Sequence, residues 1–434
     1  MITRAIAVVV ALLVLAAGCG SSESSLGDDA ASAVANPEPS GTEPASAEAA
    51  DVESTSTSEE TVVTTDDVDP GPDVAALALQ SLTIEEKVGQ LFMVVVAGDD
   101  ANTVSASAGD INERDFGFRT PSEVVAAYNL GGVMYLGPNI VTADQLGTMS
   151  ADLQQTAQDG SGIGLLVAVD QEGGRVNRIT AGVTVFPPAA LLAGDDVAVG
   201  EAGYLTGRQV AGQGINVVLA PVADLTDPNA TGAIGNRSYG TDPVEVAAMV
   251  RAAVGGLQGS GVAAAVKHWP GHGSTEIDTH FNLPILDMSQ EEWLARDRVP
   301  FEAAVDEGVA IVMVGHLVLP ALDPEGLPAT VSPALIQDQL RTELGFDGVV
   351  MTDALVMGAV DNLDPAAVAV QSVAAGADIM LQPSDLPTAY QALLDAVASG
   401  ELTEAQVDQA ALRVLRLKDQ LGLLPSGGAG DASS

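Results

Sequence analysis

Eight short, unbroken apolar runs, separated by longer amphipathic stretches, do most to limit what this chain can fold into. They are Leu91–Val96, Gly132–Leu136, Leu165–Val169, Val217–Ala220, Ala263–Val266, Ala310–Val314, Val349–Met351 and Ile379–Leu381. A strand with one wet face alternates apolar and polar residues, whereas a continuous apolar run suits a strand covered on both faces, as in a parallel sheet. The intervening pieces, among them Val244–Leu257, Leu335–Leu344 and Pro365–Ala375, have helical length and composition, and several stop at glycine. Alternating strand and helix predict a parallel α/β fold. Eight units between Leu82 and Leu424 predict a single closed (β/α)8 barrel, with an open doubly wound sheet as the alternative.

The ends of the chain have a different character. Met1 to Gly18 carries one early cation, Arg4, then the apolar run Ala5–Ala17, a signal-peptide pattern too short for a comfortable membrane span. The following Cys19 is the only cysteine, so no intramolecular disulfide can form. Ending LAAGC, the segment resembles a bacterial lipoprotein signal, which implies cleavage before Cys19 and lipidation of its sulfur. No Lys or Arg stands between Arg4 and Lys87, and the Ser, Thr, Pro and acidic residues there cannot bury enough apolar surface to fold. The expected organisation is a signal over 1–18, a disordered tether over 19–74, the barrel over 75–425 and a disordered tail over 426–434. This places the protein outside the cell membrane, held to its outer face by lipidated Cys19. With 16 Lys and Arg against 59 Asp and Glu, the net charge of −43 argues against nucleic acid or anionic lipid as a partner for the barrel.

In a parallel barrel the chemistry lies at the carboxyl ends of the strands. There the sequence turns polar repeatedly: Asp170 to Arg175 after the third run, Lys267-His268 after the fifth, His316 after the sixth and Thr352-Asp353 after the seventh. Any one of these could cap or order a loop; several on one rim suggest a site. The stretch Lys267–His280 holds three of the four histidines and two carboxylates. It sets Asp278 two residues before His280, a carboxylate able to orient an imidazole for proton transfer. Gly271 and Gly273 leave this segment room to move. Clustered His and Asp could also bind a metal, but neither an HExxH pair nor a calcium loop is present, so neither metal nor cofactor is expected.

Six segments, SLTIEEKVGQLFMV from Ser81, GGVMYLGPNI from Gly131, VDQEGGRVNRI from Val169, IGNRSYG from Ile234, KHWPGHGSTEIDTH from Lys267 and GFDGVVMTDALVMGAV from Gly345, resemble glycoside hydrolase family 3. More narrowly, they resemble its bacterial β-N-acetylhexosaminidase branch. Larger members add an α/β sandwich domain that supplies their acid/base carboxylate; here only a short polar tail follows Leu424, implying a barrel without that domain. The resemblance implies Asp353 as nucleophile, His280 as acid/base and Asp278 as its orienting partner. Asp170, Arg178, Arg237, Lys267 and His268 would bind the sugar, with Arg178 alternatively paired to an acid such as Glu172. His272 is expected to order its loop. The implied activity is exo-acting, retaining release of terminal β-linked N-acetylglucosamine, with cell-wall fragments as the expected substrate, by a monomer. Phosphate in place of water, a β-glucosidase or β-xylosidase, and a saccharide-binding lipoprotein without turnover are the competing readings.

Overall fold

The computed structural model describes residues 73–425 except 276, 361 and 362. The signal segment, Cys19, most of the tether and the 426–434 tail therefore lie outside the described residues. The described residues begin slightly ahead of the compositional boundary. Asp73 caps the helix Val74–Ser81 by accepting from the Ala76 N–H at 3.0 Å, and its other oxygen meets Arg416 at 2.9 Å.

Eight parallel strands follow: β1 (Phe92–Val94), β2 (Gly132–Tyr135), β3 (Leu166–Val169), β4 (Val217–Val218), β5 (Ala263–Trp269), β6 (Ile311–Val314), β7 (Val349–Thr352) and β8 (Met380–Leu381). They pair in the order β8-β1-β2-β3-β4-β5-β6-β7, and a parallel bridge from Met351 to Ile379 joins the two ends. The expected (β/α)8 barrel is the fold, and the open sheet is excluded.

Both faces of the strands are buried, which is why the apolar runs are continuous. One set of residues, including Met93, Leu166, Ala168, Ala265, Met313 and Met351, packs into the barrel interior. The alternate set, including Val133, Val167, Val218, Val266, Val314 and Val350, packs outward as part of the large core beneath the helices. The helix Glu404–Gln420 contributes Val414 and Leu417 to the interior set, and the segment after it reaches the chain just before β3, Leu423 O accepting from Gly164 N at 2.8 Å. No described helix is long and apolar enough to cross a membrane.

Among the strand boundaries that depart from the sequence expectation, two have plain physical causes. β4 stops at Val218, two residues early; the chain soon reaches Pro221, which has no N–H to give a ladder. β5 instead runs on through Lys267 and His268 to Trp269. Trp269 is fully buried, packs edge-on against Trp293 and Phe301 at 5.4 and 5.3 Å, and donates its indole N–H to Leu335 O at 3.0 Å. The pairing of β5 with β6 shifts between Val266 and Trp269, and Lys267 and His268 fall at this irregularity.

Candidate active site

The rim is built from β3 outward. After Val169 the chain places Asp170, then forms a short hairpin, Gln171–Gly173 with Val176–Asn177. Gly173 (φ 97°) and Gly174 (φ 58°) make its turn, and Pro187 and Pro188 lie so close that a Cβ at either position would collide. The Gln171 amide closes the base, donating to Ile179 O at 2.8 Å and accepting from the Arg178 and Ile179 N–H groups at 3.1 and 3.0 Å. This hairpin presents two carboxylates to β5. Lys267 Nζ lies 2.8 Å from Asp170 and 2.6 Å from Glu172, and Arg237 grips Glu172 with Nε and Nη2, each at 2.8 Å.

Burial alone would raise the Glu172 pKa, but Lys267 and Arg237 outweigh it and hold the carboxyl far below its ordinary value. Burial would likewise lower Lys267 and Arg237; their acid partners prevail and push both upward. All three groups are therefore charged at neutral pH. Arg178 pairs with Asp170 at 3.3 Å, so the alternative partner suggested from sequence, Glu172, belongs instead to Lys267 and Arg237.

A second cluster stands beside the first. His268 Nδ1 meets Asp224 Oδ2 at 2.7 Å, and Asp224 Oδ1 accepts the backbone N–H of His272 at 2.7 Å. Asp224 is completely buried. Its pKa falls because, although burial opposes ionisation, His268 and the His272 contacts favour it. A carboxylate partner puts the His268 proton on Nδ1 and leaves Nε2 available to a ligand hydroxyl. Sequence reasoning missed Asp224. Its one signal was position: an acid shortly after the fourth apolar run, like the polar residues that follow the third, fifth, sixth and seventh. His316, singled out without a role, is buried between Thr330 Oγ1 at 2.8 Å and Ala354 O at 3.0 Å. A carbonyl only accepts, so Nε2 carries the proton, and burial lowers the pKa of the neutral ring.

Asp353 follows β7, with its N–H donating to Val314 O at 2.8 Å and its Oδ1 accepting from Ala354 N at 2.8 Å. Burial pushes its carboxyl up, but His268, His316, the Ala354 N–H and Lys267 together leave its pKa below the ordinary value. It is ionised at neutral pH, as a nucleophile must be. Asp278 and His280 lie on the loop after β5: His280 Nδ1 is 2.8 Å from Asp278 Oδ1, which also accepts the His280 N–H at 2.9 Å. That hydrogen bond to Nδ1 leaves Nε2 for proton transfer. His272, buried, reaches Thr279 Oγ1 at 3.3 Å and so ties down the loop carrying the dyad. Gly273 presses on the Leu225 carbonyl with no room for a Cβ, so this glycine serves close packing rather than freedom. The dyad loop is bonded to the segment after Asp353: Gly358 N donates to His280 O and Ala359 N to Thr279 O, each at 3.1 Å.

A parallel (β/α)8 barrel with an ionised carboxylate after β7, a His–Asp pair on the β5 loop and a compensated cluster of charges between β3 and β5 defines the class. The glycosyl hydrolase family 3 N terminal domain matches residues 83–417, and the chain belongs to that family. It is 34% identical over 362 residues to the "Beta-N-acetylglucosaminidase/beta-glucosidase" of Cellulomonas fimi, covering 80% of this chain and 60% of that protein. A "Beta-hexosaminidase" of Stenotrophomonas maltophilia (strain R551-3) is 36% identical over 310 residues, 69% of this chain and 86% of its own. Among solved structures, a family 3 β-N-acetylglucosaminidase from Paenibacillus sp. str. FPU-7 superposes with a TM-score of 0.72 at 38% identity, covering 81% of this chain and 66% of the other. The chain thus spans about 60% of the Cellulomonas relative and 66% of the Paenibacillus protein.

Proposed function

We propose that the protein is an exo-acting, retaining β-N-acetylhexosaminidase that releases terminal β-linked N-acetylglucosamine. The observation that carries this reading is the Asp278–His280 pair at 2.8 Å, on a loop bonded to the segment that follows the ionised Asp353. Asp353 attacks the anomeric carbon as the bond to the leaving oxygen breaks, and His280 Nε2 gives that oxygen its proton. Water then attacks the glycosyl ester, surrendering a proton to His280, and Asp353 departs as a carboxylate. Asp278 holds the imidazole and stabilises its charged form. Asp170 and Lys267, with His268, Arg178 and the Glu172-braced Arg237, bind sugar hydroxyl and carbonyl oxygens. The names carried by the relatives support the N-acetylglucosamine preference; the double name of the Cellulomonas protein favours β-glucosidase as the second reading.

The reading extends to the cell envelope: export, lipidation at Cys19 and action on cell-wall fragments, supported by the LAAGC segment and the acidic tether. A Cys19→Ala variant should then appear in the soluble fraction, and its retention by membranes would sink the anchor. For the activity, a chromogenic β-N-acetylglucosaminide should be turned over by the protein and not by Asp353→Ala. No turnover by the intact protein, or equal turnover by both, contradicts the mechanism. A matched β-glucoside separates the two sugar preferences.

A further inference from the structure

We propose that His316 is a positioning residue for both halves of the reaction: by holding the Ala354 carbonyl, it fixes the turn that joins Asp353 to the loop carrying the dyad. This rests on the reading of Asp353 as nucleophile and His280 as acid/base. The first observation is where that carbonyl lies. Ala354 O accepts from His316 Nε2 and from the Met357 N–H, each at 3.0 Å, which closes a tight turn over 354–357. On one side of the turn stands Asp353, whose Oδ1 takes the Ala354 N–H at 2.8 Å. On the other side the chain runs straight into Gly358 and Ala359, whose N–H groups donate to His280 O and Thr279 O at 3.1 Å. One carbonyl thus stands between the two reacting groups, and among the described residues His316 is the one side chain bonded to it.

The second observation is how the imidazole itself is held. His316 follows β6, whose Val314 O accepts the Asp353 N–H at 2.8 Å, while Gly315 donates to Trp269 O on β5 at 2.8 Å. A Cβ on Gly315 would lie 3.2 Å from the Cβ of His268, so the end of β6 is packed against the end of β5. Asp353 is therefore tied to β6 twice, through the Val314 carbonyl and, by way of Ala354, through the His316 ring. His316 and Thr330 are both fully buried. The carbonyl requires the proton on Nε2, which leaves Nδ1 an acceptor, and the Thr330 hydroxyl at 2.8 Å is the donor that meets it. The threonine thereby selects the tautomer that can grip Ala354. With both nitrogens engaged by the protein, neither is free for a substrate proton; the ring holds and does not transfer.

The test follows labelling of Asp353 by a slow fluorinated N-acetylglucosaminyl analogue, read as a saturating rate and a half-saturating concentration, in the full chain and four variants. An asparagine amide reaches the position of Nδ1, and a glutamine amide that of Nε2. His316→Asn should label about 100-fold more slowly with half-saturation within about twofold of the parent, and His316→Gln should recover about tenfold of that loss. Thr330→Val, which removes the hydroxyl at nearly constant volume, should slow labelling about tenfold, and Thr330→Ser should restore most of it. Equal loss in His316→Asn and His316→Gln, or rates within about threefold of the parent in His316→Asn and Thr330→Val, overturns the inference while Asp353 remains the labelled residue. A raised half-saturation at an unchanged rate assigns His316 to sugar binding and overturns it as well. Should the His316 variants fail to fold, the Thr330 pair decides by the same criteria. A parent that is not labelled at Asp353 overturns the nucleophile assignment and the inference together.

Discussion

The charge cluster between β3 and β5 and the dyad on the β5 loop are both acid–base pairings on one rim, yet they live in opposite surroundings. The side chains of Lys267, Glu172 and Arg237 are 3%, 5% and 14% exposed, while those of His280 and Asp278 are 66% and 34% exposed. The buried cluster has each charge answered by another and cannot titrate near neutrality; it fixes a shape. The dyad, by contrast, keeps contact with solvent. On the proposed mechanism, position and proton transfer would be divided between the two regions, and their variants should fail in different ways.

The largest expected effect falls on the exposed region. His280→Ala should lower kcat for a poor leaving group on the order of 10²–10⁴-fold, with stability within about 0.5 kcal/mol of the parent. An aglycone acidic enough to depart unprotonated should lose much less; equal losses for both leaving groups would remove His280 from acid catalysis. In the buried cluster the order reverses. Lys267→Met leaves Asp170 and Glu172 facing each other without their shared cation and should cost roughly 3–5 kcal/mol in urea unfolding. A cost below about 1 kcal/mol would show that the cluster is not the rigid element described.

A third buried charge sharpens the contrast. Lys418 is fully buried with a single acceptor, Gln90 Oε1 at 2.6 Å, and burial pushes its pKa down to about 7. The unfolded chain takes up this proton at the ordinary lysine value of about 10.4, so the folded state is penalised fully below pH 7, and stability rises as pH climbs from about 7 towards 10.4. Lys418→Met should remove that slope and stabilise the protein at neutral pH by roughly 2–4 kcal/mol. An unchanged slope in a pH series of melts would show that the lysine stays charged.

Much of this arrangement was legible in the sequence because the barrel buries both strand faces, which left eight uninterrupted apolar runs. The runs misplaced the end of β5 because a lysine ordinarily closes an apolar strand. Here Asp170 and Glu172, about a hundred positions earlier, neutralise Lys267 and let the strand continue. Asp224 was illegible for a related reason: it stands alone in the apolar, buried stretch Leu219–Leu225 after a two-residue strand, and only the folded chain brings it to His268. The Asp278–His280 pair was readable because both partners share one short loop. Arg237 was placed at the sugar by resemblance alone; its grip on Glu172 spans 65 positions.

The proposed mechanism requires Asp353, held ionised on the rim, to form the covalent link to the sugar. A slow fluorinated N-acetylglucosaminyl analogue, incubated with the full chain and followed by peptide mass spectrometry, tests it directly. The expected result is one glycosyl adduct on the peptide containing Asp353, absent from Asp353→Ala. An adduct on any other residue would contradict it.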